Sequence, residues 1–302
     1  MKLKFLLPVL MTASVAITFT ACSDGDGKDG ATTDSAGKNE TLNVTGLTVK
    51  GQSFMVPSPI QIANIIHNSG AGYKKDMLNP SGNLSKYSDA MKRSLNLGIY
   101  GADLGYITMY DNNADATEYY KNVMQLGDQL KITASFDQGL MKRFSDNIGK
   151  KDSMLQLVGE AYRRSDQFLR ESDQENVAAM ILAGGWIEGI YFALNVYKDK
   201  PAETVIKRIG EQKGTAAGIV KILQECQTTD NPHAELNDLI KLFQDLDVEY
   251  EKIEIKYTFA EPTTDEANHI TTISGKTEVK PTDEQMTNLM AKVKAIRDYI
   301  TN

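Results

Sequence analysis

Two long apolar segments constrain the fold of this chain more than any other feature. In the segment 84–110, apolar side chains would lie on nearly every side of a helix, and the same is true of the segment 173–198. A helix that is apolar all round belongs in the interior of a domain. The sequence therefore predicts two central helices that are surrounded by the remaining elements.

Helix-start signals recur along the chain from Ser58 onward. Ser58 before Pro59 is typical of an N-cap with proline at the first helical position. Capping boxes begin at Ser135, Ser172 and Thr282, each before an apolar-periodic run. The predicted fold class is an all-α, multi-helix bundle of about ten helices. The predicted helices lie near 59–68, 84–110, 114–131, 136–148, 152–171, 173–198, 202–212, 215–227, 233–252 and 282–300.

One segment, 252–280, departs from the helical pattern. Apolar residues alternate with polar ones from Ile253 to Phe259, and the stretch from His269 to Val279 is rich in Thr, Ile and Val. This pattern predicts a small two-stranded β-ribbon near the C-terminus. Because an isolated hairpin is only marginally stable in water, the ribbon must pack against the bundle or against a partner.

Both central helices carry stripes of small residues. The stripes are Gly98, Gly101 and Gly105 in one helix, and Gly185, Gly189 and Ala193 in the other. A glycine inside a helix costs about 1 kcal/mol, so a row of them needs a reason. Small residues let helix backbones approach closely, and we expect the stripes to face neighbouring helices. The alternative is that they leave room for a ligand against bare backbone.

Asp103 and Glu188 each interrupt an apolar central helix. Burial of a carboxylate costs several kcal/mol unless a cation or a hydroxyl meets it. The available partners are Lys92, Arg93, Arg163, Arg164, Tyr100, Tyr106 and Tyr191. One interpretation is a buried structural network with Arg163, Tyr100 and Tyr191. The other is a carboxylate pair that lines a pocket and performs acid/base chemistry or binds a cation.

Other signs of chemistry are weak. The histidines His67, His233 and His269 fall on different predicted elements without metal-ligand spacing, and Cys226 is interpreted as an inert buried thiol. We predict no metal, no cofactor and no catalytic residue outside the carboxylate pair. Several tyrosines could stack on sugars, although such residues more often pack against a core. They are Tyr73, Tyr87, Tyr110, Tyr119 and Tyr120.

The N-terminus has the order of a secretory signal peptide over residues 1–21, with Lys2 and Lys4 before an apolar run that ends in small residues. The polar residues in this run argue against a membrane-spanning helix. Phe19-Thr20-Ala21-Cys22 resembles the lipobox of bacterial lipoproteins. This resemblance implies that Cys22 carries acyl chains that anchor the mature chain to a membrane.

Residues 22–52 are interpreted as the lipidated cysteine and a flexible tether, because Gly, Asp, Ser and Thr dominate after Cys22. Ser23 to Gly27 resembles the surface-export signal of Bacteroidota lipoproteins, although an acidic, solvated tether would have the same composition. Asp34-Ser35-Ala36 resembles a Bacteroidota O-glycosylation site and makes Ser35 a candidate. Removal of Lys2 and Lys4 leaves 31 basic against 40 acidic side chains, a net charge of −9.

The remaining residues, 53–302, are predicted to form one helical domain. Its segments Asn96–Gly105 and Ala183–Gly189, together with the lipobox, resemble uncharacterised helical lipoproteins of Bacteroidota. The negative charge argues against nucleic acid as a partner. We therefore expect an outer-membrane or cell-surface lipoprotein that binds an envelope protein and does not catalyse a reaction. A protein that binds a glycan or a small ligand is the first alternative, and an enzyme that uses the carboxylate pair is the second.

Overall fold

Ten α-helices make up most of the part of the chain that the computed structural model describes, which is residues 44–49, 52–148, 150–227, 234–259, 261, 263–265, 270–272 and 275–302. The helices are α1 (Pro59–Asn68), α2 (Ala90–Met109), α3 (Asn113–Gln129), α4 (Gln138–Asn147), α5 (Lys151–Glu171), α6 (Glu175–Asp199), α7 (Glu203–Gly210), α8 (Lys213–Glu225), α9 (Ala234–Glu251) and α10 (Asp283–Thr301). The predicted all-α bundle is confirmed.

The helix starts show which local signals the structure uses. At Thr282 the capping box is formed, with Thr282 Oγ1 accepting from the Gln285 backbone at 3.2 Å and the Gln285 side chain accepting in return at 2.8 Å. The box predicted at Ser135 is wrong, because Asp137 accepts the first hydrogen bond of α4 instead. The box predicted at Ser172 is also wrong, because this residue caps the C-terminus of α5.

Helices α2 and α6 form the centre of the bundle and pack against each other more extensively than any other pair of helices. A Cβ atom built on Gly98 would lie 2.0 Å from the carbonyl oxygen of Ile181. A Cβ atom on Gly184 would lie 2.0 Å from the carbonyl oxygen of Leu95. Only glycine permits backbones this close, so these two residues set the distance between the central helices.

Helix α6 is long and apolar enough to cross a membrane by length and composition alone. In the described bundle, however, 78% of its most apolar 18-residue window is buried inside the protein. Its fully buried side chains include Trp186 and Phe192. The apolar character of α6 is therefore used in the packing of the core.

A β-hairpin precedes α1 and corrects the predicted end of the tether at residue 52. Strands β1 (Val44–Val49) and β2 (Gln52–Pro57) are antiparallel, from the pair Val44 and Pro57 to the pair Val49 and Gln52. Four of the six β1 residues are Val or Thr, which favour extended backbone. The hairpin lies beside α6 and α8, so ordered structure begins by Val44. Cys22, Ser35 and residues 1–21 lie outside the described residues.

The predicted ribbon near the C-terminus is confirmed. Strand β3 (Ile255–Phe259) pairs antiparallel with β6 (Gly275–Val279), and β4 (Thr263–Asp265) pairs with β5 (Ile270–Thr272). The β3–β6 pair contacts the bundle at its base, where Val279 is buried against α7. A Cβ atom on Gly210 would lie 2.2 Å from Val279 Cγ1, so this glycine makes room for the base of the ribbon.

Candidate functional site

Two features of the structure are candidates for function, a buried polar cluster at the centre of the bundle and an exposed apolar face on the ribbon. The cluster joins α2, α6 and α10 through Asp103, Glu188 and Arg297. Arg297 Nε donates to Glu188 Oε2 at 2.6 Å, and Arg297 Nη2 donates to Glu188 Oε1 at 2.8 Å. Glu188 is fully buried, whereas the Arg297 side chain keeps 11% of its surface exposed. This is a bidentate, nearly buried ion pair.

Asp103 lies beside this pair and is itself fully buried. Desolvation and the neighbouring charge of Glu188 raise the pKa of Asp103 well above its ordinary value of 3.8. Asp103 Oδ2 accepts from the backbone N–H of Asn79 at 3.3 Å, whereas Oδ1 receives no hydrogen bond from any described residue. A protonated Asp103 is neutral beside the Glu188–Arg297 ion pair, so the three-residue cluster carries no net charge.

Arg297 has further contacts that hold it in place. Its Nη2 atom also donates to the backbone oxygen of Met77 at 3.0 Å. The guanidinium group lies over the ring of Tyr191, with 4.2 Å from Cζ to the ring centroid. A planar guanidinium suits this combination of a bidentate carboxylate and an aromatic face, and a lysine would not reproduce it.

The loop before α2 is tied to the same region through Asn79. Its side chain donates to Asn96 Oδ1 at 3.2 Å, and its backbone oxygen accepts from the hydroxyl of Tyr119 at 2.8 Å. One residue further on, the backbone oxygen of Pro80 accepts from the hydroxyl of Tyr100 at 2.8 Å. The cluster and this loop therefore form a continuous polar layer that links α2, α3, α6 and α10.

The structure brings together most of the predicted network but changes its cation. Tyr191 packs against the Arg297 guanidinium and Tyr100 donates to the backbone oxygen of Pro80, whereas Arg163 lies exposed on α5 and takes no part in the cluster. The prediction for Arg163 is wrong because its helix presents that position to solvent. The cation is Arg297, which the sequence interpretation missed. Its position four residues after the buried Val293 of α10 is the signal that could have found it.

The geometry of the cluster favours a structural role over acid/base chemistry. Both oxygens of Glu188 are held by one guanidinium, and the partner that remains for Asp103 is Glu188 itself. Neither carboxylate lines any of the described cavities. Within the described residues, no group of three or more His, Cys, Asp or Glu side chains could hold a metal ion.

The glycine stripes face several different neighbours. Gly98 faces α6, where its nearest backbone nitrogen belongs to Gly185. Gly101 faces α5, whereas Gly105 and Gly189 both face α1. A Cβ atom on Gly101 would lie 3.0 Å from the Tyr162 hydroxyl, and one on Gly189 would lie 2.9 Å from Ile62 Cδ1. Each stripe thus accommodates more than one helix.

The tyrosines considered for sugar stacking pack within the protein. Tyr87 and Tyr119 are almost fully buried. Tyr73 stacks on the ring of Tyr106 at 5.6 Å between centroids, and its hydroxyl donates to Asp115 at 2.6 Å. The other two rings are half-buried and also pack against the main core, so all five contribute to packing.

The exposed candidate is the apolar face of the ribbon. Ile255, Tyr257 and Phe259 alternate along β3 and therefore lie on one face. Their side chains are 42%, 61% and 62% exposed, whereas Ile253, just before the strand, is buried. Exposure of large apolar residues thus increases along the strand away from the bundle. We call Ile255, Tyr257 and Phe259 the ribbon face.

Comparison of the chain with protein-family models, with curated proteins and with solved structures finds no match. The resemblance to helical lipoproteins of Bacteroidota therefore stays a prediction, based on the lipobox and on the two quoted segments.

Proposed function

We propose that this chain is a lipid-anchored cell-envelope protein that acts as a non-catalytic binding or assembly module, and that its ribbon face contacts a protein partner. The observation that supports this proposal is the exposure of Ile255, Tyr257 and Phe259 on one face of a two-stranded ribbon. Two-stranded ribbons gain little stability by themselves, so an apolar face at the outer end needs a function other than folding.

The chemistry of the ribbon face suits a protein interface. Tyrosine and phenylalanine are enriched at the centres of interfaces, where a few buried aromatic residues supply most of the binding energy. Full burial of a large apolar side chain is worth about 1.5–3 kcal/mol. Since Tyr257 and Phe259 keep more than half of their surface exposed, a partner could gain about 1–2 kcal/mol from each.

The opposite face of the ribbon provides the matched control. Lys256 and Thr258 alternate with the apolar residues of β3 and are also exposed. A partner that binds the ribbon face would contact Tyr257 and Phe259 but not these two residues. The contrast between odd and even positions of one strand therefore tests the proposal without a change in the fold.

Site-specific photocrosslinking in the native membrane gives the readout. A photoreactive amino acid at 257 or 259 should crosslink to one discrete partner, whereas the same group at 256 or 258 should not. Tyr257→Ser combined with Phe259→Ser should abolish co-purification of that partner. Equal crosslinking from both faces, or none from either, would overturn the assignment of the ribbon face.

The location is part of the same proposal. Acyl chains on Cys22 would hold the domain at an outer-membrane surface, each buried methylene contributing about 0.8 kcal/mol. Metabolic labelling with an alkyne fatty acid should mark the wild-type chain and leave Cys22→Ser unlabelled. Protease treatment of intact cells should digest a surface-exposed chain, and complete protection would contradict exposure at the cell surface.

A further inference from the structure

Two apolar cavities lie in a row along the inner side of α5. The larger has a volume of about 90 Å³ and the smaller about 40 Å³. Both are lined by Tyr162, Ser165 and Ile181, so the two spaces adjoin each other. The α5 residues that line them follow one helical face, from Val158 through Tyr162 and Ser165 to Leu169. The two spaces therefore follow one another along α5.

The larger cavity lies at a seam between two hydrophobic clusters. Leu104 and Ile132 belong to the main core, whereas Phe144 and Val158 belong to a small cluster formed by α4 and α5. The helices at this seam do not close fully on each other. No charged residue is among those that line the larger cavity.

Two hydroxyl groups, those of the half-buried Tyr162 and Ser165, border both cavities and are available to a ligand. Neither the Tyr162 hydroxyl nor Ser165 Oγ forms a hydrogen bond with any residue in the described ranges. Burial raises the pKa of Tyr162 to about 12, so its hydroxyl stays protonated and can donate. A water molecule needs two to four polar partners, which a wall of this composition does not supply in its deeper part.

We infer that the larger cavity binds a linear alkyl chain whose uncharged hydroxyl or carbonyl head lies where the two cavities adjoin and forms hydrogen bonds with Tyr162 and Ser165. The uncharged, mainly apolar wall of the larger cavity matches an alkyl chain. An ionised carboxylate head is disfavoured because Asp166 lines the smaller cavity and pairs with Arg170 at 2.8 Å. This ligand site is independent of the ribbon face.

Titration with 1-hexanol, 1-octanol and 1-decanol tests the inference by ligand-observed NMR. The purified chain carries Cys22→Ser so that no attached acyl chain competes. Each methylene that enters the cavity should tighten binding about fourfold, until the space is full and the effect of chain length levels off. Sodium octanoate should bind at least tenfold more weakly than 1-octanol. Binding of the carboxylate equal to that of the alcohol would overturn the assignment of an uncharged head.

Variants locate the site. Ala161→Phe places a ring in the larger cavity, and Ser165→Leu fills the point at which the two cavities adjoin. Either change should weaken binding of 1-octanol at least tenfold. Tyr162→Phe removes one hydrogen bond and should weaken binding about two- to tenfold. Ala291→Phe, on the exposed side of α10, is the matched control and should bind like the parent chain.

The outcomes distinguish binding at this site from nonspecific hydrophobic binding. The proposal is supported if binding of 1-octanol saturates and is lost in the filled variants while their circular dichroism spectra stay unchanged. It is overturned if the parent chain shows no saturable binding, or if Ser165→Leu and Ala161→Phe bind as well as Ala291→Phe. If Ala161→Phe does not fold, Ser165→Leu alone decides, because its side chain is only partly buried.

Discussion

Near-isosteric changes of the two buried carboxyl groups should have unequal effects on stability. Glu188→Gln removes the negative charge that both Arg297 donors contact, at 2.6 and 2.8 Å, and leaves a nearly buried guanidinium without its counterion. Loss of one partner of a buried pair costs about 3–5 kcal/mol. Asp103→Asn keeps the shape of a protonated acid, since its amide can donate to Glu188 while its oxygen accepts from Asn79. We expect this change to alter stability by no more than about 1 kcal/mol at neutral pH.

The pH dependence gives a second and sharper expectation. The pKa of Asp103 is raised in the folded state, so the folded protein binds this proton more tightly than the unfolded chain does. The associated stability is fully present below the unfolded value of 3.8 and is lost as the pH rises toward the folded pKa. Asp103→Asn has no such proton to lose. Its free energy of unfolding should therefore increase relative to that of the wild type as the pH rises.

Urea unfolding followed by circular dichroism at pH 5, 7 and 9 measures both effects. Glu261→Gln, an exposed change of the same chemistry, should leave the unfolding midpoint unchanged and serves as the control. If Asp103→Asn destabilises the protein as much as Glu188→Gln does at every pH, Asp103 is ionised in the folded state. The assignment of a protonated Asp103 would then be refuted.

Three further changes test the packing and capping described above. Gly98→Ala should lower the free energy of unfolding by more than about 3 kcal/mol, because its Cβ would lie 2.0 Å from a carbonyl oxygen. Gly218→Ala in α8 has open space around it and should stabilise the protein by about 0.5–1 kcal/mol. Urea unfolding of both variants measures the contrast. Gly189→Leu should cost about 1–3 kcal/mol, because the side chain would collide with α1, and an unchanged thermal midpoint would contradict this packing. Thr282→Ala should cost about 1 kcal/mol through loss of the capping box, and Thr282→Ser should restore most of that loss in the same unfolding assay.

The helical architecture could be predicted because its signals are local. The N-cap at Ser58, the capping box at Thr282 and the apolar runs of α2 and α6 each act within a few residues of chain. The predicted start of α2, residue 84, is six residues too early, since the helix begins at Ala90. A 3-10 helix precedes α2 and ends before the N-cap at Asp89. Helix boundaries depend on such competing turns, and the spacing of apolar residues along the sequence does not reveal them.

The polar centre could be predicted only in part. A carboxylate inside an apolar helix shows that a partner must exist, and this identified Asp103 and Glu188. The partner Arg297 is 109 positions after Glu188, so its choice depends on which helices meet in space. Arg163 was an equally good candidate for this cation from the sequence, but its position on α5 is exposed to solvent. The close approach of Gly184 to Leu95 was missed for the same reason, since register between helices is a tertiary property.

The last helix determines when the protein can finish folding. At a synthesis rate of about 5–20 residues per second, the 109 positions from Glu188 to Arg297 take roughly 5–20 s to emerge. From Asp199 onward α2 and α6 are both complete, but Glu188 still has no Arg297 as its counterion. The polar side chain of Asn96 also still lacks Ile300, whose backbone oxygen it contacts at 3.0 Å in the finished fold. The two central helices are therefore synthesised early, but their polar contacts can be completed only after α10 has been synthesised, which leaves an interval in which the incompletely folded chain is accessible to chaperones.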